Sequence, residues 1–136
     1  RMEEQVIHYC VAHGIPIIAT CRGMQYINVM FGGKLWYHPK LPVNRTRGVD
    51  HQVWLVKEQR NIWVNNYHSD CIYEKGLASC FEPLAIDREN HVVEAYGSDE
   101  MKILALQWHP ERRFETANAY EETRKIILDF IQKYVK

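Results

Sequence analysis

One cysteine stands where a pattern breaks. In residues 17–33, IIATCRGMQYINVMFGG, a short apolar run with β-branched residues ends at Thr20, Cys21 follows, and Arg22-Gly23 opens a segment of helical spacing. A thiol at a strand-to-helix corner projects above the sheet, with the next backbone N–H groups aimed at a developing oxyanion and the helix N-terminus lowering the thiol pKa. Such a corner needs small neighbours. Ala19 and Gly23 flank Cys21 two residues away on either side, giving A-x-C-x-G where the usual elbow has glycine at both ends. The competing reading is a buried structural cysteine with no chemistry.

A nucleophilic thiol needs a base within reach, and the base needs a third group to set its tautomer and orientation. Gln107-Trp108-His109-Pro110-Glu111, which follows an apolar run, supplies both candidates. Residues i and i+2 on an extended strand end point the same way, so one terminus presents the His109 imidazole and the Glu111 carboxylate together.

These groups must be held by a fold. Apolar residues at helical intervals predict helices over 2–12, 23–31 and 117–134, the second closed by Gly32-Gly33. Runs 16–20, 34–37, 52–56, 62–65, 84–86, 92–96 and 103–108 read as strands bounded by Pro, Asp, Asn or Gly. The run at 16–20 has the pattern of a strand covered on both faces. Mixed in this order, the elements predict an α/β layer architecture with part of the sheet parallel, in which reactive groups collect at the carboxyl ends of strands. Cys21 is at such an end.

The 136 residues suffice for one domain with a real core, and 17 basic against 17 acidic side chains give no electrostatic reason to expect nucleic acid or an anionic membrane as partner. No apolar run approaches a membrane span and the start lacks the pattern of a secretory signal, so a cytoplasmic protein is expected. The four cysteines, Cys10, Cys21, Cys71 and Cys80, form no C-x-x-C pair, which argues against a disulfide framework or zinc ribbon. The seven histidines include no helical pair with a third ligand nearby, so neither metal nor cofactor is expected. The sequon Asn44-Arg45-Thr46 reads as chance, and Arg45, Arg47, Arg112 and Arg113 read as solvated loop charges.

In order along the chain, CRGMQ with its downstream GG, VNNYHSD and QWHPE resemble the class I glutamine amidotransferase-like proteins, and most closely their peptidase C26 branch of γ-glutamyl and γ-glutamyl-γ-aminobutyrate hydrolases. The resemblance runs essentially end to end. It implies a Rossmann-like, flavodoxin-like α/β sandwich with Cys21 as nucleophile, His109 as general base and acid, and Glu111 as the orienting carboxylate. It also implies that Gln25 helps hold the γ-glutamyl group, that the Tyr67-His68-Ser69 loop receives the substrate's α-carboxylate on its backbone, and that Arg22 and Gly23 belong to the oxyanion neighbourhood. His68 either takes part in binding or caps a turn with Asp70, and Arg22 faces either substrate or solvent.

The chain departs from the family pattern in two places. Ser69-Asp70 stands where the family usually has His-Gln, which points to a different γ-glutamyl substrate. Family domains also carry upstream strands and helices with a Gly-Gly loop that donates to the oxyanion, and residues 1–136 are therefore expected to be the C-terminal part of a single domain. In these residues alone, the strand at 17–20 should show an unpaired edge or an exposed apolar surface. The activity implied is hydrolysis of a γ-glutamyl amide or glutamine through a cysteinyl thioester. The alternatives are a glutaminase subunit feeding ammonia to a synthetase partner, or a non-catalytic interaction domain; a homo-oligomer is compatible with each.

Overall fold

The structure, a computed structural model, describes residues 2–37 and 47–135. The sequon at Asn44, Arg45 and Thr46 lies outside them. In chain order the elements are α1 (Met2–Ala12), β1 (Ile17–Thr20), α2 (Arg22–Met30), β2 (His51–Leu55), β3 (Arg60–Val64), β4 (Glu82–Asp87), β5 (Val92–Ser98), β6 (Ile103–Leu106) and α3 (Ala119–Tyr134), with one 3-10 turn at Glu74–Gly76.

Six strands make one sheet in the order β1-β6-β5-β4-β2-β3. Among the described residues only β1 and β6 run parallel, with Thr20 opposite Leu106, and the other neighbours are antiparallel. Strand β6 explains the layering. Its side chains alternate, Ile103 and Ala105 joining one core with α2 residues Met24 and Ile27, Leu104 and Leu106 joining the other with α3 residues Ile126, Ile127 and Phe130. A period of two on a strand buried on both faces builds a helix–sheet–helix sandwich. Each fully buried Leu or Ile of β6 contributes about 1.5–3 kcal/mol over its exposed form, which makes β6 a firm support for whatever follows it.

Helix α2 begins at the cysteine corner and ends at Phe31, whose N–H bonds the Ile27 carbonyl. The pair Gly32-Gly33 then acts as expected: Gly32 takes a φ of +99°, which a residue with a Cβ resists, and Gly33 returns its N–H to the Asn28 carbonyl. Buried Asn28 extends the anchorage, donating to the Gly76 carbonyl and accepting from the Ala78 N–H. At the other end of the chain the Trp108 indole N–H donates to the Thr123 hydroxyl at 3.0 Å and pins α3 beneath the end of β6.

Two expectations need correction. Residues 34–37 form no strand. They make a single bridge, Trp36 to Cys71, because the Lys34 carbonyl is taken by the Asn28 side chain and the facing residues fold into turns. Strand β1 is not covered on both faces either: it lies at the sheet's edge and Ile18 is 40% exposed. Beside it α1 turns Met2, Val6 and Tyr9 outward and packs on the core through Ile7 and Val11, with the His8 ring edge-on to Phe31. The unpaired edge and exposed apolar surface expected at 17–20 are thus present among the described residues.

Candidate active site

Cys21 occupies a strained corner. Its φ of 49° and ψ of −108° lie where non-glycine residues are rare, and it is held there by its N–H on the Leu106 carbonyl at 2.8 Å and by its carbonyl, which accepts from the Gln25 N–H. The A-x-C-x-G spacing has a local cause. A Cβ placed on Gly23 would meet the Ala19 methyl at 3.6 Å, so the residues two before and two after the thiol face each other, and small side chains let helix and strand approach.

The parallel pairing of β1 with β6 brings the other signal to the same place. Cys21 and His109 line one cleft of about 420 Å³, together with Thr20, Arg22, Gln25 and the loop residues Tyr67 to Asp70. His109 Nδ1 lies 2.8 Å from Glu111 Oε2. The imidazole is 15% exposed while the carboxylate is 63% exposed, so the ring forms the wall and the acid stands behind it at the surface. Slight burial pushes the Glu111 carboxyl up, but its own backbone N–H, His109 and Arg112 more than reverse this and hold it below its ordinary value.

Asn65 locks the backbone of His109. Fully buried at the end of β3, it accepts the His109 N–H at 3.0 Å and donates to the His109 carbonyl at 2.8 Å, with further contacts to the Arg112 and Arg113 carbonyls. The Tyr67 ring meets the His109 ring edge-on and lies under the guanidinium groups of Arg47 and Arg112. Those two arginines are exposed, as solvated loop charges should be, and they also line the cleft; Arg113 is exposed as well.

Gln25 is nearly buried. Its amide nitrogen donates to the Asp70 carbonyl at 3.1 Å and to Gln107 Oε1 at 3.2 Å, while Gln107 Nε2 points at Cys21 Sγ from 3.9 Å. The side-chain oxygen of Gln25 is left as its acceptor toward a ligand. His68 turns inward: Nδ1 donates to the Asp70 carbonyl at 2.9 Å, and Nε2 lies 3.3 Å from the fully buried Glu94. Burial works to lower its pKa, but the Glu94 charge, with contacts to Cys71, Glu94 and Asp70, outweighs it and raises the value to about 10. The turn bond to Asp70 is therefore made, and Ser69 and Tyr67 form the loop surface that His68 supports. Arg22, at the cleft rim, is exposed.

Sequence reasoning passed over Asn65, Glu94 and Gln107. A signal existed for one of them: Glu94 is the lone carboxylate inside the buried run Val92-Val93-Glu94-Ala95-Tyr96. Among the described residues no group of three or more His, Cys, Asp or Glu is arranged to hold a metal ion, and no helix is long and apolar enough to cross a membrane.

A model of the Peptidase C26 family matches residues 1–111. The chain is 29% identical over 131 residues to the glutamine amidotransferase-like protein YvdE of Lactococcus lactis, covering 85% of this chain and 54% of that protein. It is 27% identical over 135 residues to aminodeoxychorismate/anthranilate synthase component 2 of Bacillus subtilis, covering 98% of this chain and 66% of that one. The chain thus spans between about half and two thirds of the length of these relatives. A crystal structure of a glutamine amidotransferase from Thermotoga maritima superposes with a TM-score of 0.66 at 18% identity, over 97% of this chain and 55% of that one, a likeness of fold.

Proposed function

The chain belongs to the peptidase C26 family, within the class I glutamine amidotransferase-like proteins, and on that premise we propose that its cleft hydrolyses the amide bond of a γ-glutamyl compound. Cys21 is the nucleophile, His109 the general base and acid, and Glu111 the carboxylate that orients the ring. The observation carrying this reading is the strained Cys21 corner sharing a cleft with a His109 already bonded to Glu111.

The imidazole nitrogen not bonded to Glu111 takes the thiol proton as sulfur attacks the γ-carbonyl. The resulting oxyanion lies against the first N–H groups of α2, at Arg22 and Gly23, which have no intrahelical acceptor. Collapse expels the amine, which leaves with the proton from His109, and a glutamyl thioester remains on Cys21. Water, deprotonated by His109, then breaks the C–S bond to give glutamate and the free thiol. Gln25 offers its side-chain oxygen to the glutamyl half. The carbonyls of Asn66, Tyr67, Ser69 and Asp70 are all engaged by Gly48, Arg47, Cys71, and His68 with Gln25. A carboxylate only accepts, so what the backbone of this loop can present to one is N–H, beside the hydroxyls of Tyr67 and Ser69.

A panel of glutamine and γ-glutamyl amides tests the reading, with amine release followed and the thioester trapped by acid quench and mass spectrometry. No release from any member, with Cys21 alkylated no faster than a free thiol, overturns it. A second reading, a glutaminase feeding ammonia to a synthetase, is favoured by the similarity to component 2 of a synthase. It predicts ammonia release stimulated by a partner protein.

A further inference from the structure

The ladder between β4 and β5 shifts register twice, first between Pro83 and Ala85 and again between Ala85 and Ile86. Ala85 pairs with Ala95 and Ile86 with Val93, so Glu94 is the extra residue of a β-bulge. Bulges re-aim side chains, and this one sends a carboxylate into the interior, under the loop that forms the far wall of the cleft. There Glu94, with no exposed surface, faces His68, which is 3% exposed, at 3.3 Å. A second imidazole, His51 on β2, lies 3.7 Å from the other Glu94 oxygen. The Cys71 thiol is beside His68 and donates to the Ser69 carbonyl. The neighbouring acid Asp50 is turned elsewhere, accepting the N–H groups of Glu115 and Thr116.

A buried carboxylate is costly unless paired, so its place between Val93 and Ala95 calls for a reason. The bonding pattern supplies one. A carbonyl can only accept, so His68 Nδ1 must carry a proton to bond Asp70, and Nε2 faces a carboxylate. The Asp70 carbonyl held by His68 is the same one that receives the Gln25 amide. A continuous set of contacts therefore runs from the bulge through His68 and Asp70 to Gln25 and Gln107, ending at Cys21.

We propose that Glu94 and His68 are a buried pair of positioning residues that sets loop 67–70 and, through the Asp70 carbonyl, fixes the Gln25 side chain in the γ-glutamyl subsite. Neither touches substrate. The inference rests on the γ-glutamyl reading above for what the subsite binds, but the pair itself is read from its own geometry. Loosening it displaces the groups that grip the glutamyl half while leaving Cys21, His109 and Glu111 in place, so binding is lost and the chemical step is kept.

The test is steady-state kinetics on the full chain with Glu94→Gln, His68→Asn and the double variant, beside the alkylation rate of Cys21 by iodoacetamide. Each single variant should raise KM about tenfold or more, with kcat within about threefold of wild type and alkylation unchanged. The double variant should be no worse than either single one, because the pair acts as a unit. An unchanged KM, a fall in kcat alone, or penalties that multiply would overturn the proposal. If the variants fail to fold, the 15N resonances of His68 in the wild-type chain at pH 8 decide. Both ring nitrogens protonated supports the pair, and a neutral ring overturns it. Absence of turnover by the wild-type chain would count against the γ-glutamyl reading, and those resonances would still judge the pair.

Discussion

The two walls of the cleft are held by different means. On the Cys21 side, position comes from the backbone: the parallel pairing of β1 with β6, the Cys21 N–H on Leu106, and the start of α2 fix the corner whatever the thiol does. On the facing side, residues 65–70 have no regular structure, and their place comes from buried polar side chains, Asn65, His68 and Gln25. A wall fixed by backbone tolerates the loss of a side chain in shape while losing chemistry. A wall fixed by side chains loses shape when one of them is removed.

Cys21→Ala gives the largest expected effect and the sharpest test of the first half. Turnover should fall by about 10⁴-fold or more, with the melting temperature nearly unchanged because one partly exposed sulfur is removed. Full activity would sink the thioester mechanism, and a large loss of stability would break the contrast between the walls. Glu111→Gln should be less damaging, by a factor on the order of 10² in kcat relative to Cys21→Ala, since Glu111 orients the ring without reacting. Equal and complete loss at saturating substrate would mean that Glu111 also holds the site together.

Asn65→Ala addresses the second wall. Leaving the N–H and carbonyl of His109 without their partner should cost roughly 2–3 kcal/mol in urea unfolding and lower kcat by about tenfold as the imidazole drifts. Unchanged stability with normal turnover would show that the backbone of 109–113 is held by other means. The last effect is a slope. The His68 pKa in the folded chain is raised to about 10 from 6.5, so the stability it contributes is complete below about pH 6.5 and lost as pH rises toward 10, at no more than about 1.4 kcal/mol per pH unit. The melting temperature of the wild type should fall across that window more steeply than that of His68→Asn. Parallel curves would mean that His68 is not charged in the fold.

The same contrast separates what the residues reveal when read in order from what they conceal. The corner at Cys21, the Gly32-Gly33 stop and all three helices follow from period and punctuation, which are local properties of the chain. His109 and Glu111 are likewise only two residues apart, although β6 ends at Leu106 and the pair meets across a turn closed by the Arg112 N–H on the His109 carbonyl, not on an extended strand end. The loop wall is not local. Glu94 stands out as the lone carboxylate of its run, but nothing in the run says that a one-residue bulge turns it toward His68. Asn65 reads as the last residue of a strand, and nothing near it in the chain says that its side chain is for residue 109. Residues 34–37 mislead for the converse reason: their alternation suits a strand, but Asn28 takes a carbonyl that a ladder would need.

The parallel pairing of β1 with β6 also has a consequence in time. Cys21, which lines the cleft, and buried Gln107, whose amide points at its sulfur, are 86 residues apart in the chain. The hairpin of β2 with β3 and the antiparallel pair β4–β5 close short loops, whereas the cleft requires the ends of a long one to meet. While the chain folds, the thiol and the imidazole are strangers, and a partly folded molecule has neither an active nucleophile nor a ligand to gain. Refolding followed by alkylation of Cys21 should show its native reactivity returning after helix content, and simultaneous recovery would mean that β1 docks early. Such ordering keeps the reactive thiol an ordinary one until the rest of the molecule is in place to direct it.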